Sequence, residues 1–181
     1  MKDFYIIHGY GADKDSNFFP WLNDQIISKL NYKCKTLNLP NTNNPNLKEW
    51  INFLDNNIKE LNENTYFVCH SLGCIATLKF IEKQNNIKVG GIFLVSGFYE
   101  SLSLFPQLNG FTQKPIDESK IINKIIKRVV ISSDNDDLVP IQYSQNLANK
   151  INAKFYSFSN YGHFLVYKSD ELFQLIKHEI K

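Results

Sequence analysis

The sequence predicts a doubly wound α/β domain with about six mostly parallel strands and helices on both faces of the sheet. Strand-like and helix-like segments alternate from one end of the 181 residues to the other. The strand-like segments are uninterrupted apolar runs, which are typical of parallel strands covered on both faces by helices. No repeat, low-complexity linker or change of composition marks a domain boundary. We therefore expect a single domain over residues 1–181.

The predicted elements follow one another in a regular order. Apolar runs predict strands at residues 4–7, 34–39, 66–68, 92–95, 129–132 and 155–158. Apolar residues at helical spacing predict helices over residues 18–30, 47–61, 72–79, 141–151 and 172–180. Residues 97–118 contain many aromatic and aliphatic side chains without a sustained period. We expect this segment, here called the excursion, to cross the edge of the sheet at which the strands end.

The composition restricts the possible partners and location. The net charge is only +2 and Arg128 is the single arginine, so a nucleic acid partner is not expected. The N-terminal apolar run is too short for a signal peptide or a membrane span, and no membrane association is expected. Three cysteines form no disulfide framework and have no zinc-ligand spacing. These features predict a cytoplasmic protein without a bound metal.

The stretch from Val68 to Gly73 joins a strand to a helix with almost no residues between them. Ser71 must therefore lie on the turn itself, where a serine stands clear of the sheet. Such a sharp turn needs small residues two positions before and two positions after the serine, in the pattern G-x-S-x-G. Here Cys69 takes the place of the first glycine, and Gly73 is the second. The pattern predicts a nucleophilic serine, although an ordinary turn serine gives the same short motif.

Two further polar clusters follow later strands in the order that a serine nucleophile requires. Asp134, Asp136 and Asp137 follow the fifth predicted strand, and His163 follows the sixth. Because the carboxyl ends of parallel strands share one edge of the sheet, these groups should meet Ser71 in one crevice. A histidine can accept the serine proton, and a carboxylate can orient the imidazole. The spacing alone leaves the three aspartates as alternatives: Asp134 could cap the turn, and Asp137 could cap the following helix.

The tetrahedral oxyanion formed after serine attack needs hydrogen-bond donors that are already in place. One should be the backbone N–H of Leu72, at the start of the helix after the serine. The other should come from the loop after the first strand, where Gly9 lets the backbone turn in and Tyr10 supplies the N–H. Gly9-x-Gly11 could also be read as part of a dinucleotide fingerprint, but the third glycine of that motif is absent.

His70 is expected to point away from the nucleophile in a structural role.

The aromatic residues of the excursion have two possible uses. They could be ordinary core, or they could line an apolar substrate pocket at the active-site edge. The pocket interpretation names Phe98, Tyr99, Phe105 and Phe111.

With these residues in place, the chain resembles the small serine hydrolases of the retinoblastoma-binding protein 9 and YdeN family. The similarity covers essentially the full length. It is carried by the segment from His8 to Gly11, the Trp50 helix, the segment from His70 to Gly73, Asp136-x-x-Val139-Pro140, and the segment from Gly162 to Phe164. The resemblance implies a compact α/β-hydrolase fold, a triad of Ser71, Asp136 and His163, and no cofactor.

The expected function is hydrolysis of a small carboxylic ester or thioester through an acyl-enzyme on Ser71. A small acyl compound is the expected substrate. An amidase or peptidase activity is possible within the same chemistry. The alternative from another class is a non-catalytic protein- or ligand-binding module on a hydrolase scaffold, because the fold alone does not define the function.

Overall fold

The computed structural model describes residues 1–181 and contains one six-stranded sheet. Its strands are β1 (Asp3–Ile7), β2 (Lys33–Leu37), β3 (Thr65–His70), β4 (Val89–Val95), β5 (Ile125–Ser133) and β6 (Lys154–Phe158). The spatial order is β2-β1-β3-β4-β5-β6, and all five neighbouring pairs are parallel. The predicted doubly wound α/β class is therefore confirmed, with a sheet that is wholly parallel.

Six α-helices and one 3₁₀ helix accompany the strands. The α-helices are α1 (Phe19–Leu30), α2 (Leu47–Asn57), α3 (Leu72–Lys83), α4 (Glu118–Lys124), α5 (Ile141–Lys150) and α6 (Asp170–Glu179). The 3₁₀ helix spans Pro106–Phe111, inside the excursion. None of the helices is both long and apolar enough to cross a lipid bilayer.

The core consists of two layers, one on each face of the sheet. Alternate residues of each central strand enter different layers: Phe67 packs in one and Val68 in the other. Because successive strand residues point to opposite faces, the two layers lie on opposite sides of the sheet. Helices α2, α3, α4 and α5 bury their apolar residues in the first layer, and α1 and α6 bury theirs in the second. Strands β3 and β4 lie at the centre and are buried along their whole length.

The strand order reverses between β1 and β3, which lie side by side although β2 comes between them in the sequence. In open parallel sheets, ligands bind outside the carboxyl ends of the strands at such a reversal. The loop after β1 carries Tyr10, and the turn after β3 carries Ser71. The topology thus brings the predicted oxyanion loop and the predicted nucleophile to the same place.

Some element boundaries differ from those predicted. The helical spacing of apolar residues continues to Leu61, but α2 ends at Asn57 and Ile58 already has an extended backbone. Ile58 and Leu61 still pack on the core, so they keep the apolar pattern without the helix. Strand β5 begins at Ile125, four residues before the predicted start, because Lys127 and Arg128 interrupt its apolar run. Helix α4 was not predicted, since Ile121 is its only buried residue.

Candidate active site

Ser71 occupies a strained turn between β3 and α3. Its backbone has φ 52° and ψ −123°, and a non-glycine residue with positive φ in that region is energetically unfavourable. The Ser71 amide donates to the carbonyl oxygen of Val95 at 2.9 Å, which ties the turn to the end of the neighbouring strand β4. Strain of this kind persists only where the surrounding structure enforces it. The turn therefore has the geometry of a nucleophile elbow.

The residues on either side of Ser71 show why the elbow needs small side chains. A methyl group on Gly73 would collide with the His8 carbonyl oxygen and come within 2.8 Å of the Ile7 carbonyl oxygen. The first turn of α3 therefore lies directly against the end of β1. At the other position Cys69 is completely buried, and its thiol donates to the Thr77 hydroxyl at 3.3 Å. Burial raises the pKa of the Cys69 thiol to about 12, so this group is no thiolate nucleophile at neutral pH.

The predicted oxyanion donors lie next to the elbow. A methyl group on Gly9 would come within 3.0 Å of Ser71 Cβ and 3.2 Å of the Leu72 nitrogen, so the two loops are in direct contact. The Leu72 N–H is the first of α3 and has no acceptor within the helix. The Tyr10 N–H donates to no group of the protein. The N–H groups of the next two residues, Gly11 and Ala12, each donate to a backbone carbonyl oxygen. Both predicted donors are thus available to a ligand.

His8 holds the oxyanion loop through both ring nitrogens. Its Nε2 accepts from the Leu39 amide at 3.0 Å, and its Nδ1 donates to the Gly9 carbonyl oxygen at 3.1 Å. The loop after β1 is therefore tied to the residue that follows β2. Because both nitrogens are occupied, His8 has a structural role and no free group for acid-base chemistry.

Asp136 and His163 form a buried pair. His163 Nδ1 donates to Asp136 Oδ2 at 2.9 Å and lies 3.1 Å from Oδ1. The same Oδ1 accepts the backbone N–H groups of Leu138 at 3.1 Å and Val139 at 2.9 Å. These donors fix the carboxylate, and the carboxylate fixes the tautomer in which His163 Nε2 is free to accept a proton.

The pKa of Asp136 reflects the same contacts. Burial alone would raise this pKa, but the hydrogen bond and the charge of His163, with the amide of Val139, lower it below the usual value. Asp136 is therefore a carboxylate at neutral pH.

The residues before Asp136 hold the loop that carries His163. Their side-chain oxygens accept three consecutive backbone N–H groups of that loop. Ser133 Oγ accepts from Tyr161 at 2.9 Å, Asp134 Oδ1 from Asn160 at 3.0 Å and Asn135 Oδ1 from Gly162 at 2.8 Å. Each residue from 133 to 136 thus contacts a different residue of the histidine loop. This pairing explains why four polar residues follow one another at the end of β5.

The three candidate aspartates have different surroundings. Only Asp136 contacts His163. Asp134 is bound to the histidine loop rather than capping its own turn. The expected cap by Asp137 is wrong: α5 begins after Pro140 with no side-chain cap, and the Asp137 carboxylate forms no hydrogen bond. Pro140 fixes the chain at the start of the helix, and the amides of Leu138 and Val139 already bond to Asp136.

His70 differs from the expectation that it points away from the site. Its ring centre lies 4.8 Å from that of His163, and its Nε2 donates to the His163 carbonyl oxygen at 2.7 Å. Burial lowers the pKa of His70 to about 3, and the neighbouring His163 adds to the effect. His70 is therefore a neutral side chain that ties the elbow to the histidine loop. Nothing in the sequence signals this contact, because the two residues are 93 positions apart.

A cavity of about 460 Å³ opens beside these residues. Ser71, His163 and His70 line it together with residues from four segments. The loop after β1 contributes Tyr10, Gly11, Ala12, Ser16 and Asn17; the excursion contributes Phe98, Leu102, Phe105 and Leu108; the loops after β5 and β6 contribute Leu138, Val139 and Leu165. The volume is in the range of small-molecule sites.

Two of the four predicted pocket aromatics line this cavity and two do not. Phe98 and Phe105 face it, and the Phe105 ring lies 6.3 Å from that of Tyr10. Phe111 instead packs edge-on against Trp50 at 5.2 Å, and Tyr99 packs against the core layer that contains α3. The 3₁₀ helix causes the difference at Phe111, because it turns that side chain towards α2. Leu102 and Leu108 were missed because aliphatic residues in an aperiodic segment carry no distinct signal.

The six-stranded parallel sheet and the serine elbow define an α/β hydrolase. A family model described as "Serine hydrolase" matches residues 4–174, so this chain belongs to the serine hydrolase family.

Individual relatives agree with this membership. The chain is 43% identical to YdeN of Bacillus subtilis over 165 residues, which are 91% of this chain and 86% of YdeN. It is 23% identical over 171 residues to the serine hydrolase RBBP9 of Rattus norvegicus, covering 94% of this chain and 90% of RBBP9. The crystal structure of the ydeN gene product from B. subtilis superposes with a TM-score of 0.95 at 38% identity, covering 99% of this chain and 98% of that one. The predicted resemblance is therefore confirmed.

Proposed function

We propose that this serine hydrolase cleaves a small carboxylic ester or thioester through an acyl-enzyme on Ser71. One observation carries the proposal: the strained Ser71 shares a ligand-sized cavity with His163, whose imidazole is bonded to the buried Asp136 carboxylate. A serine hydroxyl is a poor nucleophile unless a base takes its proton as it attacks. His163 is the base that this site offers.

In the first half-reaction, Ser71 Oγ forms a bond to the substrate carbonyl carbon while His163 Nε2 takes the hydroxyl proton. The negative charge that develops on the carbonyl oxygen is stabilised by the N–H groups of Leu72 and Tyr10. The tetrahedral intermediate then collapses, and the bond to the alcohol or thiol breaks. His163 returns the proton to this leaving group, and the acyl group stays on Ser71.

In the second half-reaction, a water molecule replaces the departed alcohol. His163 takes one proton from the water as its oxygen attacks the acyl carbon, and the Ser71 ester bond breaks. The proton returns to Ser71 Oγ, and the acid leaves. Throughout the cycle the Asp136 carboxylate stabilises the positive form of His163 without accepting its proton.

We also propose that the protein acts in the cytoplasm. Cys34, Cys69 and Cys74 are all free thiols, which are typical of a reducing compartment. The small net charge argues against a nucleic acid as the partner.

Labelling with a fluorophosphonate, followed by intact mass measurement, tests the nucleophile. We expect one covalent adduct on the wild type and none on Ser71→Ala, together with hydrolysis of 4-nitrophenyl butanoate by the wild type alone. Ser16→Ala is the matched control, because Ser16 is the other serine that lines the cavity. It should be labelled like the wild type. A wild-type protein that neither reacts with the probe nor hydrolyses the ester would instead be a binding module on a hydrolase scaffold.

A further inference from the structure

The cavity beside Ser71 holds no group that can neutralise a charged substrate. Nine of its fifteen lining residues are hydrophobic, and none is Asp, Glu, Lys or Arg. Its two histidines serve the site itself, since His163 Nδ1 bonds to Asp136 and His70 Nε2 bonds to the His163 carbonyl oxygen. A carboxylate or ammonium group entering this space loses its hydration and finds no opposite charge.

The excursion forms one continuous apolar wall of the cavity through Phe98, Leu102, Phe105 and Leu108. Hydrogen bonds fix the start of this wall, where Ser144 Oγ donates to the Gly97 carbonyl oxygen at 2.8 Å. They also fix its far end. Lys79 Nζ donates to the carbonyl oxygens of Lys114 at 2.7 Å and Pro115 at 2.9 Å. A wall held at both ends is preformed, so a ligand that packs against it does not bear the cost of ordering it.

The apolar surface continues to the mouth of the cavity. Leu165 lines the cavity and is 60% exposed. Tyr10 is also partly exposed at the same opening. A substrate chain that reaches past the interior therefore meets further apolar surface rather than charge.

We propose that the substrate is a neutral ester whose apolar acyl chain packs against the excursion wall, and that acyl groups with a carboxylate or ammonium group are rejected. This inference rests on the proposed serine hydrolase function. It excludes substrates recognised through a free α-amino group, because the cavity has no carboxylate to bind an ammonium ion. It assigns the choice of substrate to Leu102 and its neighbours in the excursion.

The test compares kcat/KM for 4-nitrophenyl acetate, butanoate and hexanoate with that for mono(4-nitrophenyl) glutarate and 4-nitrophenyl 6-aminohexanoate. We expect kcat/KM to rise about fourfold per methylene, the equivalent of about 0.8 kcal/mol for each buried CH₂. For both charged esters kcat/KM should be at least about 100-fold lower than for the hexanoate.

Two variants test the role of Leu102. In Leu102→Lys, the ratio of kcat/KM for the glutarate to that for the hexanoate should rise at least about 10-fold, because a cation now faces the acyl chain. Leu102→Ala should flatten the dependence on chain length.

A flat or falling dependence on chain length, or a charged ester as good as the hexanoate, would overturn the proposal while leaving the serine hydrolase assignment intact. Failure of the proposed function is distinct, since the protein would then hydrolyse none of the esters and would not react with a fluorophosphonate. The wild-type comparison does not depend on the folding of either variant.

A separate observation concerns Ser96, between the nucleophile and the acid. Ser96 follows β4, is completely buried and has φ 50°. Its amide donates to the Ile131 carbonyl oxygen at 2.8 Å, and the preceding carbonyl, of Val95, accepts the Ser71 amide. Its hydroxyl forms no hydrogen bond of normal distance and angle in this structure. A buried polar group without a partner, on a strained backbone, lowers the stability of the fold. Such groups are found mainly at functional sites.

The Ser96 hydroxyl has the Asp136 carboxylate as a possible hydrogen-bond acceptor. Oδ2 of Asp136 accepts only from His163, although a carboxylate oxygen can accept two hydrogen bonds. Val95 is paired with Ile131, and the Ser96 amide donates to the Ile131 carbonyl oxygen, so Ser96 lies beside the end of β5, and the loop after β5 carries Asp136. In agreement with this placement, the Ser96 hydroxyl is among the groups that lower the pKa of Asp136, although burial raises it. Hydrogen bonds at such sites are often long without substrate and shorten during the reaction.

We infer that Ser96 is a positioning residue whose hydroxyl donates to the Asp136 carboxylate while His163 carries its positive charge. The Ser96→Ala change should lower kcat about 10-fold, the loss expected for a hydrogen bond to a charged group, with KM unchanged. The acid limb of the rate profile should move to lower pH, because a hydrogen bond that forms while His163 is positive favours that form, and without it His163 is protonated less readily. Ser96→Gly, which also removes the backbone strain, should show the same kinetic loss.

Ser132→Ala is the matched control. Ser132 is equally buried and its hydroxyl also lacks a partner, but it lies within β5, whereas Ser96 follows the end of β4. It should keep the wild-type kcat and pH profile. The inference is overturned if both Ser96 variants keep the wild-type kcat and pH profile, or if Ser132→Ala loses as much.

Discussion

The chemistry of this site depends on single side chains whose partners are well defined. The Asp136 carboxylate receives two backbone N–H groups and the His163 ring. Its neighbours Asp134 and Asp137 have no contact with that ring. Sequence spacing left the three aspartates as alternatives because all lie within four residues of one loop. The structure distinguishes them because the loop turns after residue 133, so that each side chain meets a different partner.

Replacing Asp136 with asparagine tests its role at the residue scale. We expect Asp136→Asn to lower kcat by up to about 10⁴-fold, because the amide favours the wrong tautomer of His163. The measurement is steady-state hydrolysis of 4-nitrophenyl butanoate, with circular dichroism to verify the fold. Asp134→Asn and Asp137→Asn are matched controls. Asparagine at 134 keeps the oxygen that accepts the Asn160 amide, and Asp137 has no partner to lose, so both should stay within about threefold of the wild type.

The strand-turn-helix unit of β3, Ser71 and α3 is the structural element on which the site depends. The sequence predicted this unit well, because a short apolar strand, a serine and an amphipathic helix follow one another without a loop. Helix α4 and the 3₁₀ helix were not predicted, since short helices with one or two buried residues leave no periodic signal. The inner lining of the cavity was predicted only in part, because it depends on how the excursion folds back.

The close approach of α3 to β1 makes Gly73 sensitive to substitution. We expect Gly73→Ala to destabilise the protein by about 1–3 kcal/mol, because the added methyl group overlaps the His8 carbonyl. Relief of the overlap moves the loop that carries the Tyr10 N–H, so kcat should fall as well. Urea unfolding and ester hydrolysis measure the two effects. A variant as stable and active as the wild type would contradict the close contact.

The excursion depends on Lys79, a buried lysine of α3. Lys79→Met removes two hydrogen bonds from a charged donor, and we expect a loss of about 2–3 kcal/mol in the free energy of unfolding. The wall should also become less ordered, so KM for a hexanoate ester should rise.

Lys83→Met is the control on the same helix. Lys83 forms an ion pair with Asp55 at 2.7 Å but is 57% exposed, so its loss should change stability by less than about 1 kcal/mol. Equal effects of the two substitutions would show that Lys79 does not anchor the excursion.

The whole molecule should lose stability in mild acid, and His70 accounts for a defined part of that loss. Burial lowers the pKa of His70 to about 3 in the folded protein, against an ordinary value of 6.5. Between these values the unfolded chain binds a proton that the folded chain does not, so stability falls as the pH decreases from 6.5 towards 3. The lowered pKa of His8 acts in the same direction. The lowered pKa of Asp136 adds a further loss at lower pH, as its carboxylate is protonated.

Urea unfolding of the wild type and of His70→Gln at pH 7 and pH 5 measures this contribution. From pH 7 to pH 5 the wild type should lose about 2 kcal/mol more than the variant, since glutamine does not titrate. The comparison concerns the change with pH, so a lower overall stability of His70→Gln does not affect it. Equal losses in the two proteins would mean that His70 is not held neutral by the fold.

The most direct test of the proposed chemistry is to trap the acyl-enzyme. The protein is mixed with 4-nitrophenyl butanoate and quenched in acid within the first turnover, and peptide mass mapping then locates the acyl group. We expect one butanoyl group per chain on the peptide that contains Ser71, a matching burst of 4-nitrophenol, and neither in Ser71→Ala. Turnover that persists in Ser71→Ala, or a butanoyl group found on Cys69 or Cys74 instead, would contradict the proposal.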